Sequence, residues 1–437
     1  MPTQFDPPSG TRDFLAREFE TRERVFALIR SVFARYGFEP LDTPAFERLD
    51  VLMGKYGEDG DKLIFKILRR GEHEGTGEAD LALRYDLTVP LARVAAAYGS
   101  QLPVPYKRYA IGPVWRADRP GKGRYREFTQ CDLDTLGSTS MLADAEVISA
   151  VHDALAGVGI AGFRFLLNSR RVLAGLLEVF DVPAELGPGV LITLDKLDKL
   201  TPAEVTAELT GRGLPEARAA DLVSAMTAPD AAERIRKALT SSEEGSAGLD
   251  EVDSVLNLLA GQVPEERVVF TPRMVRGLSY YTGPIWEVSA EGLSSSIASG
   301  GRYDHLIEQF GGPDVPATGG SLGIERILLL LADEEEGHSR LDVAVTVMGQ
   351  QYAAHSFAFA AAARSTGLRA SVYLGGSGKL GRQLKWASDQ GARWALIYGG
   401  TEEEAGTVTV RDMNTGEQTA VPAGDLAGYL ARLAAEG

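Results

Sequence analysis

Cysteine is all but missing from this chain of 437 residues: Cys131 stands alone, which excludes an intrachain disulfide. Histidine is scarce as well. The five at positions 73, 152, 305, 338 and 355 have none of the spacings of a metal-ligand set, so no structural metal site is predicted. No apolar run comes near the ~20 residues that a bilayer span needs. The opening residues MPTQFDPPSGTRDF lack the basic-then-apolar order of a signal peptide, so no membrane partner is expected and a cytoplasmic location is the default. Positive charge is in deficit, with 45 Lys and Arg against 61 Asp and Glu for a net charge of −16. That argues against a surface built to coat polyanions, but leaves room for a nucleic acid that meets a locally basic patch. Internal repeats and low-complexity tracts are absent too.

A chain of this length with 44% hydrophobic and 24% charged residues can bury a sizeable core and divides into two or three domains. From Arg12 onward, Val25, Leu28, Ile29, Val32, Phe33 and Tyr36 recur at helical spacing, with Gly37 placed to stop the helix. FEPLDTPAFE then reads as extended, Asp144 to Leu155 as a second helix, and FRFLLNS as a strand. Between about 195 and 264 the sequence turns rich in Ala, Leu and Glu. This predicts a mostly helical insertion, with TAPDAAERI and TSSEEGSAG as connecting loops. The acidic stretch LADEEEGHSRLD, 331–342, has the composition of an interdomain linker. Beyond it the strands DVAVTVMG, LRASVYL, RWALIYG and GTVTVRDM alternate with helices near 351–366 and 380–390, which predicts a small α/β domain with a partly parallel sheet.

Four stretches carry chemistry. The densest is YKRYAIGPVWRADRPGKGRYREFTQCDLD, 106–134, where from Lys107 to Arg126 seven basic residues, Lys107, Arg108, Arg116, Arg119, Lys122, Arg124 and Arg126, face a single acid, Asp118. One reading is a solvated hairpin turning at RPGKGR; the other is a strand, loop, strand unit that aims guanidinium forks at phosphates. In ATGGSLGIERILLLL, 317–331, a glycine-rich stretch runs into an apolar helix with Arg326 in its first turn beside Glu325, where the helix dipole favours an anion. In LALRYDLTVPLARV, 81–94, Asp86 and Thr88 are two apart. On an extended strand both would point to one face, fit for an ammonium group or simply for a surface. RGLSYYTGPIWE, 276–287, alternates like a strand but opens on Arg276 and carries Tyr280 and Tyr281.

Together these residues resemble the class II aminoacyl-tRNA synthetases, and within them the histidyl-tRNA synthetase family. GTRDF and GFEPLDTPAFE are similar to the family's opening and to motif 1 at its dimer interface, VWRADRPGKGRYREF to motif 2, and GGSLGIERILLL to motif 3. RGLSYYTG and GGRYDHLIEQFGG resemble the two signatures peculiar to the histidine enzymes, and GKLGRQLKWASDQGARWALIYG resembles an anticodon-binding domain. The resemblance implies an α+β fold. Its catalytic domain, over 1–335, would be built on an antiparallel sheet with helices and the helical insertion, followed by an α/β anticodon-binding domain over 340–437. It also implies an ATP-dependent ligase acting on histidine and its tRNA, a homodimer, Mg²⁺ accompanying the nucleotide, and no other metal.

Carried over residue by residue, the resemblance assigns the α-phosphate and the histidine carboxylate to Arg116, with Arg276 approaching the α-phosphate from the other side. Arg326 would take the γ-phosphate, Asp118 and Phe128 the adenine, and Arg124 would belong to the same ATP site. Asp86, Thr88 and Gln130 would receive the α-amino group, while Asp134, Tyr280 and Tyr281 would surround the imidazole. Two letters depart from the family pattern: Ser279 replaces an aspartate, and His305 stands where glycine is common. The principal alternative is a catalytically altered paralogue with a regulatory or binding role, such as the regulatory subunit of ATP phosphoribosyltransferase. A P-loop at YLGGSGKLG fails, because Tyr373 and Leu380 occupy the positions that need Gly and Ser or Thr. A plain RNA-binding module leaves the first 300 or so residues unused.

Overall fold

The computed structural model describes residues 5–55, 60–73, 75–275, 280–331 and 341–435. The chain separates into two compact units, Met1–Asp333 and Glu334–Gly437. In the first, the strands in chain order are β1 (Glu39–Pro40), β2 (Phe46–Arg48), β3 (Lys66–Leu68), β4 (Ala79–Leu83), β5 (Tyr106–Trp115), β6 (Glu127–Leu136), β7 (Arg164–Ser169), β8 (Val268–Phe270), β9 (Pro284–Ser289), β10 (Ala298–Arg302) and β11 (Ala317–Gly323). Eight of them form one sheet in the order β1-β5-β6-β11-β10-β9-β7-β8, and β2-β4-β3 form a small separate one. Only the outer pairs β1–β5 and β7–β8 are parallel in the large sheet; the inner pairs are antiparallel.

One face of that sheet is covered by helices. Ala16–Arg35 buries Val25, Phe26, Ile29, Val32 and Phe33, the i, i+3, i+4 stripe that sequence spacing predicts, and Gly37 follows at φ +78° as the stop. Met141–Gly157 is capped by Ser140, whose Oγ accepts from the Leu142 amide at 3.2 Å. Its Ile148, Val151 and Leu155 join Cys131 and Leu133 of β6 in one core. A fully buried side chain of this size contributes about 1.5–3 kcal/mol, so these two helices hold the sheet's back rigidly and leave its front for chemistry.

Between β7 and β8 the chain is helical: Arg170–Val179, Gly187–Leu194, Pro202–Gly211, Glu216–Thr227, Ala231–Leu239 and Glu243–Leu259. Helices thus begin at Arg170, ahead of the 195–264 stretch that composition marks. The two expected loops are also shorter than the sequence reading had them. TSSEEGSAG has the composition of a connection, but Ser242 caps a helix by accepting from the Gly245 amide at 2.9 Å. Its glycines serve close packing instead: a Cβ on Gly248 would lie 2.4 Å from the Val172 nitrogen. In TAPDAAERI, likewise, helix resumes at Ala231.

The second unit has a five-stranded sheet, β12 (Val343–Val345), β13 (Ala370–Val372), β14 (Trp394–Ile397), β15 (Thr407–Asp412) and β16 (Gln418–Pro422), in the order β13-β12-β14-β15-β16. The first three strands are parallel and the last two antiparallel additions, matching the partly parallel sheet expected. Helices Ala353–Ser365 and Leu426–Ala435 close a core of Val343, Phe359, Leu396, Val410 and Leu430. The mixed α+β class and the small C-terminal α/β unit are both as the sequence reading had them.

Candidate active site

The front of the large sheet is a cavity of about 530 Å³, and β6 is its floor. Period two puts Gln130, Asp132 and Asp134 on one face, opposite Cys131 and Leu133 in the core. Their partners across the ladders are small or buried: Gly112, Ala110 and Arg108 on β5, and Gly323, Ser321 and Gly319 on β11. Gly319 is obligatory here, since a Cβ would lie 2.0 Å from Asp134 Oδ1. Asp134 is enclosed by Arg108, fully buried, with Nη2 at 2.8 Å from Oδ2, and by Tyr303, whose hydroxyl donates to Oδ1. Arg108 also donates to the Leu87 carbonyl at 3.0 Å.

Burial governs the protonation of this floor. It raises the Asp134 carboxyl, against the pull of Arg108, and pushes Asp132 up to about 7. The Tyr281 and Tyr303 phenols are likewise driven up by desolvation and by the neighbouring Asp134, so both stay neutral donors. Asp132→Asn is therefore expected to stabilise the fold at pH 8, with the gain shrinking as pH falls through 7 towards the unfolded carboxylate value near 3.9. Between those two values the folded state holds the extra proton, so stability falls as pH rises, and asparagine carries no such term. Urea denaturation of both proteins at about pH 8 and pH 5.5 checks this; an equal difference at both would mean the floor carboxyl titrates normally.

Asp86 and Thr88 reach the same cavity, but by a route unlike the strand expected. Strand β4 stops at Leu83 and a helix, Thr88–Tyr98, starts at Thr88, because Asp86 Oδ1 accepts from the Val89 amide at 3.0 Å and satisfies an otherwise unpaired helix-end donor. Gln130 donates to Ser321 Oγ at 2.9 Å. Tyr280 and Tyr281 also line the cavity, with ring centroids 5.0 Å apart, and Tyr280 packs edge-on against Tyr303 at 5.8 Å. They are not on a strand, since β9 begins only at Pro284. Arg276 and Ser279 lie outside the described residues.

At the other end of the cavity Arg116 is held from behind. Its Nε donates to the Tyr85 carbonyl at 3.0 Å, and its guanidinium sits 4.3 Å and 5.1 Å from the ring centroids of Tyr85 and Phe128. The turn after it carries Asp118, paired with Arg124 at 2.6 Å. Arg326 opens the helix Ile324–Leu331 and donates to the Ser296 carbonyl. The glycine-rich stretch before that helix is strand β11 rather than a loop. Gly300 and Gly320 both give way to the Trp286 ring, which lies 2.4 Å from where either Cβ would be. All eleven described residues assigned by sequence thus surround one cavity.

Sequence reasoning passed over several others. Asp132 belongs to the alternation Gln130, Asp132, Asp134, and Arg108 lies across the ladder from Asp134. Tyr303 sits inside the quoted GGRYDHLIEQFGG. Glu325 has no such signal: buried, it accepts from Arg12 and Arg22 and from the Thr129 amide, while Arg12 also stacks over Tyr125 at 3.8 Å. The opening GTRDF is thereby tied to motif 2 and motif 3. His305, the other departure, is exposed and paired with Asp314 at 3.1 Å, away from the cavity lining.

Residues 10–327 match the family model for histidyl-tRNA synthetase, and residues 342–433 match that for an anticodon-binding domain. The chain belongs to the histidyl-tRNA synthetase family. A histidine–tRNA ligase of Paracoccus denitrificans is 40% identical over 96% of this chain and 92% of its own length. Another, from Aeropyrum pernix, is 40% identical over 98% of each. The crystal structure of the Nostoc histidyl-tRNA synthetase superposes with a TM-score of 0.82 at 29% identity, covering 99% of this chain and 100% of that one. Family membership on this scale fixes the activity as that of a histidine–tRNA ligase, an enzyme class that uses ATP, while a Bacillus halodurans structure described as an ATP phosphoribosyltransferase regulatory subunit/histidyl-tRNA synthetase shares the fold at greater distance, with a TM-score of 0.73 and 22% identity.

Proposed function

We propose that the cavity on the front of the large sheet activates histidine with ATP, forming histidyl-adenylate and pyrophosphate, and then passes the histidyl group to the tRNA for histidine. The observation that carries this reading is the sorting of groups along the cavity. Carboxylates, an amide and neutral phenols gather at the β6 floor, and arginines gather at the motif 2 and motif 3 end. A zwitterionic amino acid with a nitrogen ring fits the first region and a triphosphate the second.

In this proposal Asp86, Thr88 and Gln130 orient the α-ammonium group, and Asp134, Tyr280 and Tyr281 enclose the ring. Arg116 bridges the amino-acid carboxylate and the α-phosphate where negative charge builds up, with Arg276 assigned to the opposite side. Fixed cations at that point act without reorganisation during reaction. Phe128, Asp118 and Arg124 frame the nucleotide base, and Arg326 faces the γ-phosphate. Mg²⁺ arrives with the triphosphate. Glu287, a half-buried carboxylate in the cavity lining, would supply the hard oxygen donor that such an ion prefers.

The unit 340–437 is assigned to the tRNA anticodon. A homodimer belongs to the same proposal, supported by large apolar side chains left exposed, Phe46 in the motif 1 segment and Leu15 and Phe19 just after the opening GTRDF. No described helix is long and apolar enough to cross a membrane, and the proposed location is cytoplasmic. The test is histidine-dependent exchange of pyrophosphate into ATP by the folded protein. Exchange with histidine and not with other amino acids is expected; its absence would sink the reading.

A further inference from the structure

We propose that Asp132 binds the side chain of the histidine substrate, and that this carboxyl and the imidazole ring hold a single proton between them in the complex. The inference rests on the preceding reading of the cavity as the histidine site. Its physical basis is position and satisfaction. Asp132 is 2% exposed, lies on the cavity face of β6 between Gln130 and Asp134, and is part of the cavity lining. Its Oδ1 is buried without a hydrogen-bond partner, a condition that native proteins seldom leave uncompensated. Asp134 is two residues along, about 6.6 Å by strand rise, a gap that a five-membered ring donating towards both carboxyls can fill.

The surrounding charges explain why one proton and not none. On its own strand Asp132 meets Asp134. From the segment before the helix it meets Asp86, from β5 Arg108, and from β11 the Ser321 hydroxyl. Arg84 also faces it, as does the neutral Tyr281 phenol. Neither arginine forms an ion pair with Asp132 among the described residues, and the charge of Arg108, whose Nε and Nη1 are buried without a partner, offsets the burial of Asp132 only in part. Arg108 is committed to Asp134 and the Leu87 carbonyl, and Arg84 donates to the Pro113 and Thr43 carbonyls at 2.8 Å and 2.6 Å. A buried carboxylate with one oxygen unpartnered and its countercharge outweighed by desolvation favours a cation or a proton. A histidine ring, ordinarily titrating near 6.5, supplies either at the same atom pair: a ring N–H⁺ against Asp132 carboxylate, or a neutral ring nitrogen accepting from the Asp132 carboxylic acid.

Proton counting makes this testable. Above about pH 7 the free carboxyl is ionised and the free ring neutral, so binding takes up a proton. Below about pH 6 both are protonated and binding releases one, so affinity peaks between. Calorimetric titration of histidine at about pH 8, in two buffers of different ionisation enthalpy, reads the proton directly. The wild-type protein is expected to take up about one proton more per histidine than Asp132→Asn. That variant should keep its fold and bind histidine roughly tenfold to a hundredfold more weakly at neutral pH, the effect of one charge-assisted hydrogen bond. Equal proton uptake by the two proteins, or unchanged affinity in the variant, overturns the inference. Pyrophosphate exchange by the wild type separates the two levels. Exchange without differential proton uptake overturns this inference alone, and a wild type that neither exchanges nor binds histidine overturns the cavity reading with it.

Discussion

Arg116→Ala is expected to slow histidine-dependent pyrophosphate exchange by about a hundredfold to a thousandfold, the usual effect of removing one fixed donor from a developing negative charge. The reason lies in how the side chain is mounted. Tyr85 and Phe128 lie against the guanidinium and the Tyr85 carbonyl takes its Nε, so the fork is held in place before substrate arrives. No carboxylate pairs with Arg116 among the described residues, which leaves its charge for a ligand. Arg116→Lys restores charge without the planar fork and is expected to recover only part of the loss. Single-turnover adenylate formation at saturating ATP and histidine distinguishes the roles. A loss confined to substrate affinity, with the saturated rate unchanged, would make Arg116 a binding residue and contradict the assignment.

The second large effect concerns stability. Arg302 is 3% exposed, donates to Asp144 on helix Met141–Gly157, lies 3.2 Å from Asp304 Oδ1, and donates at 2.9 Å to the Ser138 carbonyl. Asp144 in turn accepts from Thr318 Oγ1 of β11 at 2.7 Å. Arg302→Ala leaves a carboxylate 1% exposed with its countercharge gone, and a broken buried pair of this kind costs about 3–5 kcal/mol. Denaturant midpoints read this directly. A second consequence follows from chain order, because Tyr303, which donates to Asp134, is the next residue; histidine affinity should fall along with stability. A midpoint shift typical of a surface substitution would mean that the pair contributes little.

The extent to which the sequence disclosed this molecule depended on the range of each signal. Helix Ala16–Arg35 is written in local periodicity and is readable from spacing, whereas on β6 Gln130 and Asp134 come from the family resemblance and Asp132 between them does not. Asp86 was not placed correctly, because an Asp two before a Thr reads alike on a strand and at a helix start; the amide of Val89 decides it. Gly248 reads like a loop residue because glycine is usual there, whereas its reason is a second helix pressed against it from more than sixty positions away, at Val172 and Arg171. Buried arginines such as Arg108 and Arg302 can be counted in the sequence but not understood there, since the carboxylates they meet, Asp134 and Asp144, come from other elements. The cavity residues themselves were legible mainly through family resemblance, which encodes long-range proximity that spacing cannot.

The pairing of β6 with β11 has a consequence in time. Asp134 and its hydroxyl donor Tyr303 are separated by 169 positions, and Gly319 completes the pocket later still, whereas the β5–β6 hairpin and the intervening helices are made of near neighbours. Closing such long loops is entropically slow and must precede any reward from the contacts formed. During synthesis the hairpin and helical segment therefore emerge and acquire structure while the floor's carboxyls are still solvated. The acids of β6 are enclosed only when β11 docks, so the substrate site cannot be complete before a strand made nearly two hundred positions later is in place.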